Sequence, residues 1–179
     1  MTLLGWLLGV PLIALMATAG EALEIESAQF LVGAGMGLGV GWMQGRALRD
    51  TLGGAWRWTI ATMLVLAIPF AFFDVAKLRA WDIGYSLQWA VTVGGLLVGM
   101  VQAQLLAARC RGTTAWIPAT FAGYALSVAV TNGVDAFSRS LRVGNGVKLA
   151  MFVGGVVLGG VVLGVTTGLA MRRIRLMEG

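Results

Sequence analysis

At 179 residues, 58% hydrophobic, 12% charged and with a mean hydropathy of +0.85, the chain is too apolar for a soluble domain and too long for one or two membrane spans. Its net charge of +5 would suit nucleic acid, but the basic residues stand in short clusters between apolar runs rather than in one patch, which excludes a nucleic-acid partner. Histidine is absent and Cys110 is the only cysteine, so the commonest metal and haem ligand, the usual neutral-pH proton shuttle and an internal disulfide are excluded as well.

The apolar run at 3–19 ends in Ala17-Thr18-Ala19, which resembles a signal-peptidase site, but no basic segment precedes it and it reads as a retained first span, TM1. Glu21, Glu24 and Glu26 form an acidic loop before TM2, expected at 28–45. In TM2, Gly33, Gly37, Gly41 and Gly45 fall every fourth residue and line one ridge of a helix, with Gly35 and Gly39 beside it. In water each interior glycine costs about 0.8–1.0 kcal/mol relative to alanine. In lipid a non-helical backbone costs more, so the stretch reads as a membrane helix shaped for close packing.

A basic turn with Arg46, Arg49, Asp50 and Arg57 leads to TM3 at 58–73, where Trp56 and Trp58 stand as interfacial aromatics. Val75, Leu78 and Trp81, at three-residue spacing in the loop 74–85, mark a short interfacial helix. TM4 is expected at 87–108, with Gly95 and Gly99 on its packing ridge and Arg109 and Arg111 closing it. TM5 follows at 116–132, with Thr113 or Thr114 as a cap and Pro118 in the first turn, where a missing N–H does no harm. A second interfacial helix is expected in 134–146, from Val134, Phe137 and Leu141 on one face. TM6 at 149–171 carries Gly160, Gly164 and Gly168, and Arg172, Arg173 and Arg175 follow it.

Six spans of the length a bilayer demands make this an all-α polytopic membrane protein with one membrane domain, 1–179. One side collects eight arginines against Asp50 and Glu178; the other sets five basic residues against six acidic ones. The positive-inside rule then puts both termini in the cytoplasm.

Sliding the chain against itself by 58 residues aligns V-G-W-M-Q at 40–44 with V-G-M-V-Q at 98–102, Trp58 with Trp116 and Ala61-Thr62 with Ala119-Thr120. TM6 supplies a partial third copy, with Gly160, Gly164, Gly168 and Arg172 matching Gly37, Gly41, Gly45 and Arg49. The unit is an inward-running glycine helix, a basic turn and an outward-running helix opened by tryptophan, and TM1, with Trp6, reads as the outward half belonging to TM6. These are helical hairpins repeated in parallel topology. The pattern resembles small bacterial multi-pass proteins in which V-G-x-x-Q, a basic turn and a tryptophan-led helix recur. The resemblance implies the same architecture and a bacterial inner-membrane location, and carries no catalytic residue with it.

Gln44 and Gln102, one turn from the cytoplasmic ends of equivalent helices, are the leading polar contacts. They can bind a head group or solute, but hydrogen bonding to neighbouring helices is the more economical reading. Thr62 and Thr120 invite the same substrate reading, and threonines within membrane helices more often bond to their own backbone. Asp74 falls at the outer edge of TM3, where the boundary accounts for it. Most of the tryptophans flank spans as an aromatic belt, on which pigment or quinone rings can also stack.

Strings like G-x-G-x-x-G occur in the glycine ridges, but no strand precedes them, so a nucleotide fingerprint is rejected. No cofactor is expected beyond bound lipid, or a pigment or quinone at the periphery. With no acid, base, metal site or activated nucleophile the chain is not expected to be an enzyme. A transporter should carry ionisable groups at mid-membrane or broken helices; Pro11 and Pro69 can break TM1 and TM3, but the span centres are free of Asp, Glu, Lys and Arg. The expectation is a non-catalytic membrane subunit or scaffold, accessory to a larger respiratory or photosynthetic complex whose other integral proteins and lipids are its partners. The alternative is a small-solute or lipid transporter.

Overall fold

In a computed structural model, the residues described are 29–52, 54–84, 86–141 and 143–176, with Pro11, Leu15 and Thr18. Apart from those three positions, the expected TM1 and its acidic loop lie outside the described residues. Among the described residues there are five long helices: α1, Gln29–Ala47; α2, Trp56–Leu78; α3, Leu87–Ala107; α4, Trp116–Ser140; and α5, Asn145–Met171. A one-turn helix, Arg49–Leu52, follows α1, and a 3₁₀ turn, Thr113–Ala115, precedes α4. Two short strands, β1 at Cys110–Arg111 and β2 at Arg175–Leu176, pair antiparallel.

Three of these helices, α2, α3 and α5, are long and apolar enough to cross a membrane, with mean hydropathies of 2.0, 1.7 and 2.2 over their most apolar windows. At most half of each such window is buried within the chain. Leu64, Ile68, Leu96, Leu158, Val165 and Leu169 therefore face outward, a surface that suits lipid and not water. Of the six spans expected, three are supported by length and composition among the described residues. Six glycines, Gln44 and Arg46 dilute the hydropathy of α1, while Asn132, Asp135 and Arg139 dilute that of α4.

The two expected interfacial helices are also corrected. Both segments continue the preceding helix: α2 runs on through Val75 to Leu78, and α4 runs through Val134 and Phe137 to Ser140. No proline interrupts either extension, and α2 ends only where Ala80 takes a positive φ of 51°. Pro69 does not break α2.

Each helix packs against the next in sequence, and the contacts fix their directions. Gly45 approaches Ala55 and Gly33 approaches Phe70, so α1 and α2 are antiparallel. Gly99 on Ile117 with Gly95 on Tyr124 sets α3 against α4, and Ser127 on Gly159 with Val134 on Gly155 sets α4 against α5. The α1–α2 seam is backbone to backbone: a Cβ on Gly37 would lie 2.6 Å from Met63 Cα, and one on Gly41 would lie 2.8 Å from Thr62 Cβ. The α3–α4 seam repeats it 58 residues on, where a Cβ on Gly99 would lie 3.2 Å from Thr120 Cβ.

At the end of the bundle where α2 finishes, the Asp74 carboxylate accepts the backbone N–H of Gln29 at 2.9 Å and of Phe30 at 2.7 Å. It satisfies two of the orphan donors that open α1, from 44 residues away in sequence or more. The repeat solves the same problem locally, since Ser86 caps α3 with its own hydroxyl. Asn132, 58 residues after Asp74, bonds the Gln88 side chain instead.

The opposite end is basic. The β1–β2 pairing sets Arg111 beside Arg175, and Gly112, at φ +76°, lies under the Arg173 carbonyl, where a Cβ would come within 2.9 Å of its oxygen. Only glycine suits both the left-handed backbone and that approach.

Candidate functional site

Two glutamines, a threonine and two indoles inside the bundle converge just within the basic end. Gln44, near the end of α1, accepts a hydrogen bond from Trp58 Nε1 at 3.3 Å; Gln102, near the end of α3, accepts one from Trp116 Nε1 at 2.8 Å. Each glutamine thus ties its own helix to the tryptophan that opens the next, and the two ties stand 58 residues apart.

A cross-link joins them. Gln102 Nε2 donates to Gln44 Oε1 at 3.0 Å and to Thr62 Oγ1 at 2.8 Å, while Thr62 Oγ1 donates to the Trp58 carbonyl at 2.8 Å. The two indoles meet edge to face with ring centroids 5.8 Å apart. All five side chains are buried, none more than 5% exposed. The five side chains include no carboxylate, amine or thiol, and the Thr62 hydroxyl is engaged with the Trp58 carbonyl and the Gln102 amide.

These positions correct two expectations. Trp58 and Trp116 are core residues and not part of an aromatic belt, whereas Trp42, Trp56, Trp81 and Trp89 are exposed. Thr62 bonds its own backbone as expected of threonine, but Thr120 Oγ1, fully buried, has no hydrogen-bond partner among the described residues. Its counterpart Thr62 receives Gln102; the residue that would serve Thr120 in the third copy is Thr167, whose short side chain bonds the Leu163 carbonyl instead. Thr167 and Gly164 share a cavity of about 150 Å³ with Gln44 and Trp116, so the place of a third glutamine is open space.

The glycines named from the sequence divide by position. Gly33, Gly37, Gly41 and Gly45 lie against α2, and Gly95 and Gly99 against α4. Gly160 is buried, Gly164 lines the cavity, and Gly168 is exposed with nothing among the described residues near a Cβ placed there. The close approaches between α4 and α5 fall instead at Gly123, Gly155 and Gly159. There the one hydroxyl proton of Ser127, fully buried, is shared between the carbonyls of Gly123 and Gly159, each 2.6 Å from Oγ, and sequence reasoning passed over it. A serine four residues after a glycine, facing a second glycine ridge, was the available signal.

Cys110 sits in the cluster with Trp58, Leu106 and Trp116, and burial pushes its thiol pKa up, which favours the unreactive protonated form. Among the described residues no group of three His, Cys, Asp or Glu side chains could hold a metal ion. Comparison with protein-family models, with curated proteins and with solved structures gives no match for the chain.

Proposed function

We propose that the chain is a non-catalytic integral membrane subunit, a scaffold built of six spans in parallel hairpin repeats, which serves as an accessory component of a larger complex of membrane proteins. The observation that carries this reading is the use to which the intramembrane polar groups are put. Gln44, Gln102 and Thr62 are engaged with one another and with two buried indoles, and the outward faces of α2, α3 and α5 are apolar. A conduit needs polar groups left over for its solute. Respiratory and photosynthetic assemblies recruit small spanning subunits of this kind, which is an argument by analogy.

In this reading α1 and α4 span as well, their glycine and serine seams held against more apolar neighbours, and the basic end lies in the cytoplasm of a bacterial inner membrane. Reporters fused after Gly179 and in the turn at Gly54 are expected to report cytoplasm, and one near Ser138 the opposite side. A C-terminus found outside would overturn the topology. Mild extraction from the native membrane tests the function: the protein is expected to migrate with a larger assembly of integral proteins, and migration as a lone monomer would contradict the scaffold.

A further inference from the structure

We propose that the groove between the start of α2 and the end of α3 is a binding site for the headgroup of an anionic phospholipid. The groove measures about 590 Å³ and opens at the basic end. Trp56, Arg57, Gln104, Leu105, Ala108 and Arg109 line it.

Three features fit one occupant. Arg57 and Arg109 come from different helices and converge on one groove; neither forms an ion pair among the described residues, where arginine pairs only as Arg49–Asp50 and Arg139–Asp135. Two guanidiniums with no carboxylate paired to them among the described residues favour a phosphate, which each can grip through paired N–H donors. The Gln104 amide adds a neutral donor, and Trp56, 70% exposed, presents an amphipathic ring at the level where headgroups lie. Leu105 and Ala108 add apolar lining, and Leu96 and Met100, earlier on α3, are exposed and suit acyl chains.

The second hairpin supplies an independent observation. A groove of about 580 Å³ lies between the start of α4 and the end of α5, lined by Ala115, Leu169 and Ala170 at the places of Arg57, Gln104 and Leu105. It too carries two arginines, Arg172 and Arg173, although they stand at positions other than those of Arg57 and Arg109. Charge has been placed at both grooves by different residues, which a simple copy of the repeat would not produce. Basic pockets between spans on the cytoplasmic side are suited to anionic headgroups. The proposal requires that the helices lie in a membrane and is indifferent to whether the chain is scaffold or transporter.

The test is lipid binding to the full chain in detergent, followed by native mass spectrometry and by thermal unfolding. Phosphatidylglycerol is expected to stay bound and raise the melting temperature, whereas phosphatidylcholine and inorganic phosphate are not. The double variant Arg57→Gln/Arg109→Gln should weaken phosphatidylglycerol binding about thirtyfold, from roughly 1 kcal/mol for each basic residue at the surface. The charge-matched variant Lys77→Gln/Arg79→Gln, at the other end of α2, should bind like the wild type. Equal binding by both double variants, or equal retention of phosphatidylcholine by the wild type, would overturn the site. If Arg57→Gln/Arg109→Gln fails to fold, Arg57→Lys/Arg109→Lys keeps the charge and replaces each fork by a point donor. It should bind more weakly than the wild type yet still prefer phosphatidylglycerol, and loss of that preference would count against the proposal.

Discussion

Gly37→Leu is expected to prevent recovery of a folded, monodisperse protein, and Gly37→Ala to destabilise it by about 1–3 kcal/mol, the usual range for overpacking. The neighbours responsible are backbone atoms: Met63 Cα at 2.6 Å and the Thr62 carbonyl at 2.7 Å from the added Cβ. Rotamer changes cannot relieve either contact. The α1–α2 hairpin would have to open, and with it the Gln44–Trp58 bond would lengthen. Gly168→Ala is the comparison, since its added methyl meets open space, and it should change stability by no more than about 0.5 kcal/mol, as surface substitutions generally do. Thermal unfolding in one detergent reads all three. Equal melting of Gly37→Ala and the wild type would show that the glycine ridge is not a packing seam.

The second large effect is expected at Gln102. Leucine at this position removes one acceptor and both amide donors, and leaves the Trp116 indole N–H buried without a partner; the orphaned donor alone costs about 1–3 kcal/mol. Interhelical bonds in membranes are often worth less than this because unfolded helices in lipid find other partners, so about 2 kcal/mol is expected for Gln102→Leu. Gln44→Leu strands the Trp58 N–H in the same way but breaks a longer bond, 3.3 Å, and leaves Gln102 its bonds to Thr62 and Trp116, so it should cost somewhat less. The pair together should cost less than the sum, because the Gln44–Gln102 bond is lost only once. Adding Trp116→Phe to Gln102→Leu removes the stranded N–H and should recover part of the loss. Strict additivity of the two glutamine changes would show that the cross-link carries no energy.

How much of this was legible in the sequence follows from the range of each interaction. The glycine ridge of α1 and the glutamine and tryptophan positions were readable, because the first rests on a four-residue period and the second on a 58-residue one. What the glutamines bond to was half readable. Interhelical bonding was the economical reading, but the period could not say that Trp58 and Trp116 turn inward, because a tryptophan at the start of a span serves an interface equally well. The cap that Asp74 provides for α1 joins residues 44 and 45 positions apart, and no local pattern encodes such a contact.

The two interfacial helices were misread for a different reason. Apolar spacing at 75–81 and 134–141 gave helix correctly, but a helical face does not reveal whether the helix is new or continued, and no breaker stands between Phe73 and Leu78. Recognition of α1 as a span is limited by its composition. Glycine is what lets α1 approach α2, and it also lowers the hydropathy by which a span is recognised.

Flux through the reconstituted protein tests the central claim most directly, namely that the polar groups within the bundle are structural ties. In vesicles the wild type is expected to pass neither protons, potassium, chloride nor glycerol above the rate of empty vesicles, and Gln44→Leu/Gln102→Leu is expected to leave that baseline unchanged. Flux through the wild type that disappears in the glutamine double variant would contradict the account and make the buried cluster part of a transport path.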